Sequence, residues 1–500
     1  MDEDARMDTR QLTGLILGPM VFAGLLLLPA PAGLSGAGMR VAALAALMAV
    51  WWVTQALPLA ATALLPIVLL PVMGVMRTSE VTVAYGNHLI YLFMGGFLIA
   101  VTIERWNLHR RIALQTIRLV GYTPDRIVLG FMVATAFLSM WLSNTATAMM
   151  MVTIGMAVTT QARQLLEAEG VQCREGEFRF GIVLMLGIAY AASIGGIATL
   201  IGTPPNALLA GIVEKTYGMS IGFAQWMIFG VPLSIAMLAA TWLYLTRIAY
   251  PDDLHRLPGG QQAIRDELAR LGPLSREERR VMMIAVVVVI AWVTHGLAGK
   301  GAFGRLDDSA IAMGGALLLF LCPAGRFGAA PRLLDWQTAR GIPWDIIILF
   351  GGGFALANAV GASGLTEWLA GRLELLHGLP LLVVIGAVTV LVIFLTEFTS
   401  NTATASLFLP VMGALAQALQ IHPLGPMAAA ALAASFAFML PVATPPNAIV
   451  FGSRQLTATQ MAKAGLWMNL FGTLLITLLV FYLLPLAAHI DLAAPLPGSH

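Results

Sequence analysis

One polar word is written twice inside the most apolar stretches of this chain. Ser143-Asn144-Thr145-Ala146-Thr147-Ala148 returns unchanged as Ser400-Asn401-Thr402-Ala403-Thr404-Ala405, 257 positions later. A second word, Thr203-Pro204-Pro205-Asn206-Ala207, returns as Thr444-Pro445-Pro446-Asn447-Ala448, 241 positions later. A third pair, Leu92-Phe93-Met94-Gly95-Gly96-Phe97 and Leu349-Phe350-Gly351-Gly352-Gly353-Phe354, keeps the separation of 257. Each half therefore runs in one order: a glycine-rich span, an SNT region, then a TPPN span. The first half has 16 extra residues between its last two words, and the polar stretch 163–179 is where they fall. Polar, helix-breaking segments at membrane depth are tolerated only where they are buried in protein or line a cavity. Breaks at corresponding places of two halves mark a secondary transporter whose site lies between repeats.

Composition supports a membrane setting. Hydrophobic residues make up 58% of the 500 and charged residues 11%, against about 25% charged in soluble domains; mean hydropathy is +0.83. Apolar runs near 12–30, 39–57, 58–76, 88–104, 180–213, 222–249, 281–298, 309–323, 344–362, 427–452 and 465–488 are each about one bilayer crossing long. The first, about Leu12 to Pro31, reads as a retained span and not a signal peptide. Let the two SNT regions, near 125–160 and 379–421, each enter and leave by one face, with the N-terminus cytoplasmic. Then 22 of the 28 Lys and Arg are cytoplasmic, as the positive-inside rule requires. The first SNT region enters from the cytoplasm and the second from outside, which makes an inverted repeat. The first repeat covers 1–250 and the second 281–500; a cytoplasmic linker over 251–280 carries an amphipathic helix near Gln261–Arg270. The glycine runs are expected to serve close helix packing.

Several chemistries are excluded. Gly299-Lys300-Gly301 has no Ser or Thr after the lysine, so no P-loop is present. Cys173 and Cys322 stand alone and suggest neither a disulfide nor a metal site. No nucleophile–base pair or metal cluster points to an enzyme, and nothing points to nucleic acid. Glu104, Asp345 and Glu397 fall at or near predicted span ends, and His88, His295 and His377 near predicted edges. With no titratable residue clearly mid-membrane, a proton relay is not expected; the coupling ion is expected to meet neutral oxygens.

The words suit that task. Ser and Asn cap helix N-termini, and a turn at depth presents free N–H groups and a positive helix end to an anion. An asparagine can donate to a carboxylate through its amide while its carbonyl oxygen faces a cation. Paired prolines break a helix and free the carbonyls before them, here those of Gly202 and Ala443. Thr203, Thr444, Asn206 and Asn447 are expected to face the same cavity.

At Leu395–Ala405 and Ser435–Asn447, with their counterparts in the first half, the chain resembles the divalent anion/Na+ symporter family, which includes sodium-coupled dicarboxylate and citrate carriers and some sulfate carriers. That resemblance implies an all-α polytopic membrane protein of about eleven transmembrane helices plus two re-entrant helical hairpins, usually a homodimer. A scaffold domain (about 12–124 and 281–378) would hold the dimer interface. A transport domain (hairpins and broken helices, about 125–249 and 379–490) would move as an elevator. It further implies one Na+ site at Ser139, Ser143, Asn144 and the Gly202 carbonyl, and another at Thr396, Asn401 and the carbonyls of Thr399 and Ala443. Substrate carboxylates would meet Ser143, Asn144, Thr145, Ser400, Asn401, Thr402 and Thr444, with Pro445 and Thr203 nearby. The expected function is sodium-coupled import of C4-dicarboxylates such as succinate, malate or fumarate across the plasma membrane. A sodium-independent exchanger of the same fold, or a sulfate or tricarboxylate carrier, stays open.

Overall fold

The computed structural model describes residues 8–169, 177–251, 257–298, 307–325, 331–373, 376 and 378–496. Cys173 and His377 lie outside them. The described residues form helices, and their single extended pairing is an isolated bridge between Pro323 and Arg332. Among the described residues, eight helices are long and apolar enough to cross a bilayer.

In chain order the principal helices of the first half are α1 (Thr9–Leu27), α2 (Gly36–Thr54), α3 (His88–Arg105), α4 (Leu108–Val120), α5 (Pro124–Ser139), α6 (Asn144–Ala168), α7 (Arg179–Gly196), α8 (Pro204–Tyr217) and α9 (Phe223–Leu243). Then come α10 (Gly260–Leu271), α11 (Arg276–Ala298), α12 (Asp308–Leu321), α13 (Trp344–Ala362), α14 (Leu381–Thr396), α15 (Asn401–Leu419), α16 (Leu424–Ala433), α17 (Pro445–Gly452) and α18 (Ala458–Ala488). Each SNT word joins two helices into a hairpin, α5–α6 and α14–α15. Each TPPN word starts a helix with prolines in its first turn, where the missing N–H costs nothing. The runs 180–213 and 427–452 are thus each two helices with an unwound break between them.

Burial ranks the helices. In α7, 94% of the apolar window is inside the protein, whereas α1 has 11% and packs by Gly14 and Gly18 onto Thr54 and Trp51 of α2. A helix that is apolar all round belongs at the centre, and α7 runs there. Small residues set its distance from the first hairpin: a Cβ on Gly195 would lie 2.2 Å from the Ala136 carbonyl oxygen. The glycine runs act likewise, with Gly95 against Ala312, Gly351 against Tyr85 and Gly352 against Ala63.

Helix α10 lies between the two halves and buries Ala263 and Ile264. It is held by α4. Arg110 pairs with Glu267 at 2.9 Å. Arg111 donates to the end carbonyls of Leu271 and Gly272 and to both carboxylate oxygens of Glu278 at 2.8 and 3.1 Å. Ser275 and Glu278 exchange hydrogen bonds as a capping box at the start of α11.

Candidate functional site

The two hairpin tips and the two helix breaks meet at one cavity of about 490 Å³. Ser143, Asn144 and Thr145 line it from the first tip, and Thr399, Ser400, Asn401 and Thr402 from the second. Gly202, Thr203, Ala443, Thr444 and Pro445 line it from the breaks. Residues more than 250 positions apart in the chain thus face one space. Arg10 and Asp345 are the charged side chains on its wall among the described residues.

The tips are built alike. Ser139 and Thr396, one helical turn before each serine, are fully buried behind the cavity wall. The Ser139 hydroxyl donates to Asn144 Oδ1 at 2.5 Å and lies 2.7 Å from the Ala192 carbonyl oxygen. The Thr396 hydroxyl lies 3.1 Å from Asn401 Oδ1 and 2.9 Å from the Ala434 carbonyl oxygen. Each asparagine carbonyl thereby accepts from the hydroxyl one turn before its tip, leaving its amide hydrogens for other acceptors. A Cβ placed on Gly196 would lie 2.7 Å from Asn144 Oδ1 and 3.1 Å from the Gly202 carbonyl oxygen. The Asn144 amide, whose Nδ2 is also 3.1 Å away, and the Gly202 carbonyl therefore approach the α7 end in a space that only glycine leaves open. The caps differ in detail: Ser143 Oγ accepts from the Ala146 amide, while Ser400 makes no such bond. Across the cavity floor the Thr203 and Ser435 hydroxyls lie 3.3 Å apart and join the two breaks.

Asn206 and Asn447 do not face the cavity as expected. Both are fully buried and turn back into their own breaks. The Asn206 amide donates to the Thr199 carbonyl at 2.8 Å, and that of Asn447 to the Ala437 and Leu440 carbonyls at 3.1 and 3.0 Å. A break frees carbonyls that must find donors, and these amides supply them.

Glu397 is the larger finding. It caps the end of α14, as its place at a span end predicts, but it is buried in the second tip with 2% of its surface exposed. Its carboxylate accepts from the amides of Phe438, Met439 and Leu440 at 2.8, 2.9 and 3.0 Å, and from Asn469 Nδ2 of α18 at 2.7 Å. Four donors make burial of the charge tolerable. The first half has Met140 at the position 257 residues earlier. Its break is also shorter, residues 197–203 against 434–444. The longer break has more amides without helical partners, and Glu397 serves three of them. The signal that could have found it is an acid three residues before the second SNT word, where the first half has Met140.

Comparison with known proteins identifies the family. Residues 9–488 match the family described as the sodium:sulfate symporter transmembrane region. The chain is 45% identical over 497 residues to the sodium-dependent dicarboxylate transporter SdcS of Staphylococcus saprophyticus, covering 99% of this chain and 95% of that protein. It is 46% identical over 492 residues to SdcS of Staphylococcus aureus strain MRSA252, covering 98% and 94%. Among solved structures, MtrF of Neisseria gonorrhoeae matches with a TM-score of 0.58 at 11% identity, covering 95% of both chains. The YdaH transporter of Alcanivorax borkumensis matches at 0.51 and 13%, covering 78% of this chain and 84% of that one. At such identity these two speak for the fold alone. With repeated tips and breaks gathered on one cavity, and the family pattern matched over nearly its whole length, the chain belongs to the sodium:sulfate symporter family, a family of membrane transporters and not of enzymes.

Proposed function

We propose that this protein imports C4-dicarboxylates such as succinate, malate or fumarate, coupled to sodium. The observation that carries the reading is the cavity itself, where both SNT tips and both TPPN breaks present hydroxyls, amides and carbonyls to one space. One sodium would sit among Ser139, Ser143, Asn144 and the Gly202 carbonyl; the other would sit among Thr396, Asn401 and the carbonyls of Thr399 and Ala443. The substrate carboxylates would take the amide and hydroxyl donors of Ser143, Asn144, Thr145, Ser400, Asn401, Thr402 and Thr444, beside Thr203 and Pro445. In a poorly solvated cavity opposite charges attract strongly. Sodium beside the dianion then offsets its charge, and each ligand raises affinity for the other.

The relatives named as sodium-dependent dicarboxylate transporters support this choice. The family description favours sulfate as a second reading, yet a cavity of about 490 Å³ has room for a four-carbon diacid. We place the N-terminus in the cytoplasm of a plasma-membrane homodimer with eleven crossings and two re-entrant hairpins. The hairpins and broken helices travel as an elevator against a scaffold built from the other spans. Uptake of labelled succinate, citrate and sulfate into proteoliposomes, with and without an inward sodium gradient, tests the reading. Succinate is expected to accumulate only with sodium and to be displaced by malate and fumarate. Equal uptake without sodium would overturn sodium coupling, and uptake that then depends on succinate loaded inside the vesicles would identify an exchanger.

A further inference from the structure

We propose that Arg10 is a specificity residue that selects the doubly ionised form of the substrate; this rests on the anion-binding reading given above. Arg10 is the second residue of α1, yet its side chain reaches the wall of the cavity shared by both tips. Its Nη2 donates to the Val53 carbonyl at the end of α2, and to the Phe398 carbonyl of the second tip at 3.0 Å. Both acceptors are neutral backbone oxygens. They hold the guanidinium in place and leave its charge uncancelled, and among the described residues no carboxylate pairs with it.

The neighbouring acids do not change this. Glu397 lies next to Phe398 in the chain but faces away, onto the Phe438–Leu440 amides and Asn469. Asp345 shares the cavity wall, exposed in the first turn of α13, with no ion pair to Arg10. A guanidinium has five N–H donors. Two are engaged through Nη2, so the three on Nε and Nη1 have no protein acceptor among the described residues. A planar, permanently charged donor set of this kind suits a carboxylate better than it suits any neutral group. The tips and breaks supply only neutral donors and oxygens, so Arg10 is the one cationic side chain on the cavity wall among the described residues.

The test is transport of succinate and of its monomethyl ester by wild type, Arg10→Gln and Arg10→Lys in proteoliposomes at saturating sodium. Arg10→Gln is expected to raise KM for succinate about tenfold, or ~1.4 kcal/mol, with kcat changed by less than about twofold. The preference for succinate over the ester should shrink by the same factor. Arg10→Lys, which keeps the charge, should hold KM within about threefold of wild type. The gap between wild type and Arg10→Gln should narrow when choline chloride is added at fixed sodium. Equal thermal midpoints in detergent show that the variants are folded. Should Arg10→Gln not fold, the Arg10→Lys comparison and the salt dependence of wild-type KM decide. Wild-type uptake with selectivity that ignores Arg10→Gln or salt overturns the assignment of Arg10 alone. Absence of sodium-driven succinate uptake by wild type overturns the functional reading and this inference with it.

Discussion

Removing the carboxylate of Glu397 should unsettle the second break more than its small size suggests. The group accepts four hydrogen bonds between 2.7 and 3.0 Å in a site with 2% exposure. Hydrogen bonds to charged groups are worth about 1.5–3 kcal/mol each, and a buried donor left unpaired costs about 1–3 kcal/mol. These values do not add, and water entering the gap would satisfy some donors. Glu397→Ala is therefore expected to cost on the order of 4 kcal/mol, lowering the midpoint of thermal unfolding in detergent by roughly 5 °C. Glu397→Gln keeps the shape but turns an NH2 toward amide donors, and should fall between. Leu440 precedes Ala443 by only three residues, so a loosened segment no longer presents the Ala443 carbonyl in one place. The sodium concentration for half-maximal uptake should then rise more than KM for succinate. A Glu397→Ala protein with the wild-type midpoint and sodium dependence would show that the carboxylate does not order the break.

Asn144→Ala and Asn401→Ala should each abolish sodium-driven uptake while expression and size-exclusion profile stay as in wild type; normal transport by either would show that the tips are misassigned. Burial pushes the Glu278 carboxyl up, but hydrogen bonds from Arg111 and Ser275 outweigh it and hold the group below the ordinary carboxylate range. A lowered folded-state value stabilises the fold above the unfolded value of about 4.3, and that contribution disappears as pH falls through the folded value. Thermal midpoints should accordingly drop more steeply from about pH 5 to pH 3 in wild type than in Glu278→Gln. Gly195→Ala puts a methyl against the Ala136 carbonyl and should cost at least ~1–3 kcal/mol. Gly361→Ala, in α13 with nothing within 4 Å of a built Cβ, should gain about 0.5–1 kcal/mol, both read as unfolding midpoints.

What could be read from the chain and what could not divide along a physical line. The SNT and TPPN words were legible because polar and helix-breaking residues are costly in apolar surroundings and so announce a cavity. Their helices, caps and breaks follow from local rules that act over a few residues. The burial of Glu397 was not legible because its partners are backbone amides 41 to 43 positions away and an amide 72 positions away, and backbone donors leave no mark in a sequence. Asn206 and Asn447 were drawn into the cavity because a count of side chains overlooks the carbonyls a break sets free. Arg10 had no signal at all. A basic residue before a first span reads as a topological determinant, and only the fold brings it to Phe398.

The lengthened second break and its acid are best regarded as a single change. Four added residues without Glu397 would leave bare amides next to the cavity; Glu397 beside a break of the first kind would be a buried charge short of donors. Either step alone is unfavourable, so neither can be transferred singly. A chimaera that grafts Ala434–Thr444 onto the first half without replacing Met140, or a relative that differs at only one of the two places, would be the poorer for it. Substitutions at this tip therefore have meaning only in pairs, and variants that look harmful in one background become tolerable in the other.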